Sequence, residues 1–303
     1  MTRRTGEEDA MADALRAAAA EAALEHGPDY VVPQGFERYT AEDHATWVKL
    51  YERQHTLLPG RIVPVFLEGL DALGIHPTGI PDFRDINAVL GRTTGWTIVA
   101  VPGLVPDDVF FTHLANRRFP VTFWIRKPEE LDYIEEPDAF HDLFGHVPLL
   151  MRQDYADYLE AYGKAGIALM GEGMLHRLAR LYWYTVEFGL MRTPDGLRIF
   201  GAGIASSPGE TRFALESASP NRIGFDLGRV MRTRYRIDDY QETYFVLDGF
   251  DGLPSLAVED LRPVLAAIAD APDLDPGDVL AEDVVVTRGT GEYARQRAAK
   301  IPN

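Results

Sequence analysis

The chain of 303 residues contains no cysteine. That excludes disulfides, zinc-thiolate sites and a cysteine nucleophile together. Positive charge is scarce: 30 Lys and Arg stand against 47 Asp and Glu, a formal net charge of −17. Nucleic acid and anionic membranes bind to basic faces, so neither is an expected partner. The acidity reads as a device for solubility. Long apolar runs are missing as well, since no stretch approaches the roughly twenty residues that span a bilayer. Arg3 and Arg4 precede an Ala-rich stretch, but Glu7, Glu8, Asp9 and Asp13 interrupt any secretory core. The expectation is a soluble, cytoplasmic protein. A chain this long buries about three quarters of the surface that its unfolded form exposes. It needs no structural metal to fold.

Two stretches stand out against those absences. The first is Pro137-Asp138-Ala139-Phe140-His141-Asp142-Leu143-Phe144-Gly145-His146-Val147-Pro148. It sets two imidazoles five residues apart in apolar surroundings. The second, from Leu178 to Leu190, carries one carboxylate, Glu187, in an aromatic and aliphatic run. Two histidines and a carboxylate form the ligand set of a non-haem iron(II) site with open positions. Each residue has a plainer reading. A lone histidine in an apolar run is usually a core side chain, and Glu187 could pair with Arg180 or Arg192. Taken together they point to a metal, because burying a carboxylate costs several kcal/mol unless a cation compensates it.

Residues at i and i+5 lie about 140° apart on an ideal α-helix. His141 and His146 therefore cannot share a ligand face of an unbroken α-helix. Gly145 and Pro148 are stop signals, so the expectation places His141 in the last turn of a short helix and His146 just past its end. Asp142 has neither the spacing nor the helix phase of a metalloprotease glutamate.

The rest reads as one mostly helical domain with a few short strands. Residues 1–28 form a polar, frayed N-terminal extension, 29–270 the catalytic domain and 271–303 an acidic C-terminal tail. Apolar spacing predicts helices over 42–58, 62–73 and 83–90, the last ending at Gly91. Further helices are expected from Asp107, over 155–170, over 174–190 and over 257–269. Strands are expected over 96–101, 119–125, 198–200 and 244–247. Gly201 and Gly203 only faintly resemble a dinucleotide fingerprint, for Ser206 stands where a third Gly belongs. Ser207, Pro208 and Glu210 read instead as a capping box opening a helix.

The segment Pro137-Asp138 to Pro148, the segment Tyr182-Trp183-Tyr184-Thr185-Val186-Glu187-Phe188-Gly189 and the run from Gly201 to Ser207 resemble motifs of the aromatic amino acid hydroxylases. The likeness is strongest to the short bacterial phenylalanine 4-hydroxylases and covers roughly residues 95–250. It implies a basket-like, mainly helical catalytic domain using iron(II), tetrahydrobiopterin or another tetrahydropterin, and O2 to hydroxylate phenylalanine. It also implies roles. His141, His146 and Glu187 match the iron ligands, and Phe110 matches the aromatic that stacks on the pterin. Val101, Gly103, Leu104 and Asp107 lie along the same wall, and Asp142 and Tyr182 flank pterin and iron. Arg126 matches the residue that binds the amino acid carboxylate; read alone, it is an exposed charge at the end of a strand. Trp183, Gly203 and Ser206 match the substrate pocket. The chain leaves no room for the regulatory domain and tetramerisation helix of animal members, so a monomer is expected.

Three alternatives stay open at this level. The same chemistry could act on tryptophan or tyrosine, because the loop from Asp132 to Glu136 departs from the animal enzymes. The triad could bind zinc and activate water, with Asp142 the only adjacent base. The protein could also hold an amino acid or a metal without catalysis.

Overall fold

The computed structural model of the chain describes residues 26–134, 136–256 and 260–299. Nearly all of the expected N-terminal extension lies outside those residues. Helix α1 (Ala41–Leu57) starts at a capping box in which Thr40 and Asp43 each accept the other's backbone N–H, and it buries Trp47, Leu50, Tyr51 and Leu57. Helix α2 (Pro64–Ala72) has proline at its first turn, where the missing N–H costs nothing. Helix α3 (Phe83–Thr93) is capped by Asp82 and runs through Gly91 rather than stopping there. An isolated glycine weakens a helix only modestly, and the buried Phe83, Ile86 and Leu90 hold this one.

Strand β1 (Thr97–Val101) pairs in parallel with β2 (Arg118–Thr122), and α4 (Asp107–Ala115) makes the crossover. β2 ends at Thr122, three residues before the expected Ile125, so Trp124, Ile125 and Arg126 lie beyond the strand. Helix α5 (Gln153–Leu169) packs along α4 and buries Tyr155, Tyr158 and Tyr162. The helix expected over 174–190 is shorter. α6 (Leu175–Tyr182) gives way to a π-helical turn at Trp183–Glu187, and Leu190 already belongs to β3 (Leu190–Thr193).

β3 opens a five-stranded sheet with β4 (Gly196–Ile199), β5 (Asn221–Gly224), β6 (Thr243–Leu247) and β7 (Val285–Thr287), in the order β4-β3-β6-β5-β7. The central pairs β3–β6 and β6–β5 are parallel, and the edge pairs β3–β4 and β5–β7 are antiparallel. Between β4 and β5 lie α7 (Ala202–Ala205) and α8 (Pro208–Glu216). Half of the expected capping box forms. Ser207 accepts the Glu210 N–H, but the Glu210 carboxylate is drawn off to Tyr244 Oη and the Gln241 N–H. Helix α9 (Leu227–Arg232) follows β5. Of the helix expected over 257–269, residues 257–259 lie outside the described residues, and α10 spans Arg262–Ala267.

Residues beyond 270 wrap back over this body. Asp273 pairs with Arg180 at 2.7 Å, and Asp283 pairs with Arg229 at 3.0 Å with both side chains almost wholly buried. β7 adds an edge to the sheet, and Tyr293 on α11 (Glu292–Ala298) donates to Asp239 at 2.8 Å. One contiguous apolar core joins the helices to the sheet. No helix among the described residues is long and apolar enough to cross a membrane.

Candidate metal centre and its walls

His141 and His146 are the first and last residues of a single π-helical turn, His141–His146. The geometry differs from the expected helix end. An i→i+5 hydrogen-bonding pattern widens the turn, so residues five apart come to lie one above the other. Gly145 stops nothing, since the chain passes straight into a 3-10 turn, Val147–Met151, that takes in Pro148. Glu187 ends the second π turn. Both ligand-bearing segments thus depart from α geometry at the residues that carry the donors.

The donors converge. His146 Nε2 lies 3.1 Å from His141 Nε2 and 3.2 Å from Glu187 Oε1, and His141 Nε2 lies 3.7 Å from Glu187 Oε2. Ligand atoms about 2.0–2.2 Å from a common ion and at right angles to one another lie about 3 Å apart. Two imidazoles and one carboxylate on one face suit iron(II) with open positions. The plainer pairing of Glu187 with a neighbouring arginine does not occur, for Arg180 is taken by Asp273 and Arg192 by Asp248.

The surroundings fix the donors. Ser206 Oγ donates to Ala202 O at 2.9 Å, so it accepts from His141 Nδ1, also at 2.9 Å. That puts the His141 proton on Nδ1 and leaves the Nε2 lone pair aimed at the donor cluster. Ser206 therefore stands behind His141, a contact that its expected place in the substrate pocket does not include. The Gly203 N–H bonds to the Glu187 carboxylate. A Cβ on Gly203 would lie 3.2 Å from Glu187 Oε2 and 2.9 Å from the Phe188 ring, and one on Gly201 would lie 2.4 Å from Glu187 O. Both glycines let the chain close over Glu187.

Burial depresses His141 to about 4. Burial would lower His146 as well, but the Glu187 carboxylate outweighs it and raises His146. Burial pushes Glu187 up, and His146 with His141 more than reverses that. Asp142 is pushed up to about 7 by burial, although it accepts the Thr122 N–H at 2.7 Å. Ligand atoms of Asp142 lie within 4.8 Å of those of both histidines. The Glu187 oxygens stand 3.2 Å from His146 Nε2 and 3.7 Å from His141 Nε2.

An aromatic wall leads away from the metal face. The His146 ring stacks with Tyr182 at 6.3 Å, and Tyr182 meets Phe110 edge-on at 5.6 Å. Phe110 is half-buried on α4. Buried Val101, half-buried Gly103, exposed Leu104 and exposed Asp107 trace the connection from β1 into α4.

Arg126 is buried, not exposed at a strand end. Its Nε and Nη2 make a fork to Asp138 at 2.8 and 2.9 Å, and its N–H bonds the same carboxylate. Burial raises the Asp138 carboxyl, but Arg126 overcomes this and holds it below its ordinary value. Asp138 Oδ1 also accepts the His141 N–H at 3.0 Å. Sequence reading assigned Asp138 no role, yet this residue ties Arg126 to the first π turn. The signal was available: an Asp three residues before His141 has the spacing of a helix cap to its third amide. Trp183 stacks on Tyr235 at 4.3 Å and donates to Gln241 at 3.1 Å. Tyr235 and Gln241 carried no sequence signal. Cavities of about 270 and 580 Å³ open elsewhere, but neither is lined by the three donors.

Comparison with known proteins agrees with this geometry. Residues 2–262 match the model of the biopterin-dependent aromatic amino acid hydroxylases. The chain is 58% identical to the phenylalanine-4-hydroxylase of Ralstonia nicotianae over 88% of this chain and 85% of the relative. It is 58% identical to that of Chromobacterium violaceum over 86% and 88%. The crystal structure of the Chromobacterium violaceum enzyme with bound iron(III) and 7,8-dihydrobiopterin superposes with a TM-score of 0.82, covering 86% of this chain and 94% of that one. Two imidazoles and a carboxylate facing one point, on a fold shared almost end to end with these relatives, lead to one conclusion: the chain belongs to the biopterin-dependent aromatic amino acid hydroxylase family.

Proposed function

We propose that the protein is a phenylalanine 4-monooxygenase that converts L-phenylalanine to L-tyrosine with O2, a tetrahydropterin and iron(II). The convergence of His141, His146 and Glu187 at 3.1–3.7 Å carries the reading. When bound, iron and the pterin together supply the activation of O2 that no side chain provides. The chain's own residues hold, orient and exclude. His141, His146 and Glu187 would hold the metal, and three protein donors would leave it open positions. Ser206 keeps the His141 proton on Nδ1. Phe110 would take the pterin ring, with Val101, Gly103, Leu104 and Asp107 along the same wall and Tyr182 and Asp142 flanking pterin and iron.

Arg126 binds the substrate carboxylate. Asp138 takes the Nε–H and one Nη2–H, so the ligand would meet a guanidinium already fixed in place, with both Nη1 protons and the second Nη2 proton left to bind. Trp183 and Gly203 line the pocket for the aromatic ring. The zinc-hydrolase and simple binding readings lose their support with the family assignment.

The catalytic unit is taken as residues 29–270, and the acidic segment from 271 packs on it through β7, Asp273 and Asp283. The protein acts as a monomer in the cytoplasm. Exposed large apolar side chains among the described residues are few and scattered, which suits a monomer. A panel of aromatic amino acids, assayed with iron, tetrahydropterin and air, tests the activity. Tyrosine formed from phenylalanine at the highest kcat/KM is the expected result. No turnover of any member would overturn the reading.

A further inference from the structure

Gln241 is 1% exposed and fully hydrogen-bonded. Its Oε1 accepts from Trp183 Nε1 at 3.1 Å and from the Arg236 N–H at 3.2 Å. Its Nε2 donates to Arg236 O at 2.7 Å and Asp239 O at 3.3 Å. The two donors facing Oε1 cannot accept, and the two carbonyls facing Nε2 cannot donate. Only one orientation of the amide satisfies all four. The same side chain therefore closes the turn 236–241 on itself and fixes the indole. Tyr235, just before that turn, stacks on Trp183 at 4.3 Å and 18°, and Phe188 lies on the indole at 4.9 Å. Trp183 begins the π turn that ends at Glu187.

We infer that Gln241 is a positioning residue that sets the plane of Trp183, and through it the selectivity of the site among aromatic amino acids. This rests on the reading of Trp183 as a wall of the substrate pocket. An indole pinned at its N–H and packed against two rings cannot swing aside for a larger ring. Freed from Gln241, it rotates about χ2 and the pocket admits a bicyclic substrate in place of a phenyl ring.

Gln241→Met keeps length and loses the amide. In an amide-proton NMR spectrum of ¹⁵N-labelled protein, the indole resonance that disappears in Trp183→Phe identifies Trp183. That resonance should move upfield in Gln241→Met. The ratio of kcat/KM for phenylalanine to that for tryptophan should fall about two- to tenfold, the worth of one neutral hydrogen bond. Tyrosine formed per pterin oxidised should fall with it, while bound iron and the pterin KM stay at wild-type values. In the Trp183→Phe background, Gln241→Met should change the ratio no further. An unmoved indole resonance, or effects of the two substitutions that simply add, would overturn the inference. Should Gln241→Met not fold, Trp183→Phe decides by itself: wild-type selectivity without the indole N–H overturns it. Wild-type protein that hydroxylates no aromatic amino acid would sink the monooxygenase reading and the selectivity claim, and the indole resonance would still show whether Gln241 fixes Trp183.

Discussion

Ser206 and Glu210 lie on either side of the α8 start and do different work. Ser206 holds one proton on one imidazole. Partners that fix the far nitrogen of a ligating histidine are worth about 10–100-fold in metal affinity. Ser206→Ala should therefore weaken iron binding by about that factor with little change in Tm, and titration of metal-free protein with iron(II) measures it. Unchanged affinity would mean that packing alone orients His141.

Glu210 is a buried carboxyl pushed up to about 7 by burial, against an ordinary value of 4.5, with Tyr244 and Gln241 donating to it and Asp239 adding repulsion. The folded state holds this proton more tightly than the unfolded chain does. The group therefore costs nothing below about 4.5, and stability falls as pH rises from there through about 7. The total is at most roughly 3 kcal/mol, at 1.36 kcal/mol per pKa unit. Glu210→Gln should flatten that part of the stability profile in urea unfolding at pH 5 and 8. Asp142 contributes with the same sign, so some slope remains in the variant. An undiminished slope would place the effect elsewhere.

The elements show where sequence reading ends. Helices with one clear apolar stripe, such as α1 and α5, were legible to within two residues at either end, because a period of 3.6 is what their buried residues record. The two π turns were not legible. They record a longer period over five or six residues, too short a run to stand out, and their meaning lies in which donors they stack. The convergence of His141, His146 and Glu187 was legible because His and Glu are rare in apolar runs, and the burial of Arg126 was not, because its partner Asp138 lies across a turn. Gln241 was hidden for the same reason, with its partner 58 residues away.

Gly203 tests the second π turn as a unit. A methyl group there meets the Phe188 ring and the Glu187 carboxylate. Gly203→Ala should lower bound iron several-fold in metal analysis while circular dichroism and the pterin-free fold remain intact. Full iron occupancy would show that Glu187 yields without losing the metal.

Across the whole molecule, the tail is part of the sheet's support. Asp283 neutralises Arg229, which also donates to Asp278 O at 2.6 Å. Removing one partner of a buried pair costs about 3–5 kcal/mol, and in a protein of this size 1 kcal/mol moves Tm by about 2–4 °C. Asp283→Asn should thus lower Tm by roughly 6 °C or more in a thermal melt, without changing the iron content at 20 °C. A shift under 2 °C would mean that the pair adds little to the stability of the fold.

The first π turn has a last consequence, for insertions and deletions. Removing one residue between His141 and His146 would leave the histidines at i and i+4, which an ordinary α turn again stacks on one face. Ligation would survive on paper. Everything after the turn would rotate by one residue step, about 100°, and Val147, Leu149 and Leu150, none more than 1% exposed, would turn out of the core. The spacing of the two histidines is thus guarded less by the metal than by the packing downstream of it. Lineages of this fold should therefore keep the number of residues between the two histidines.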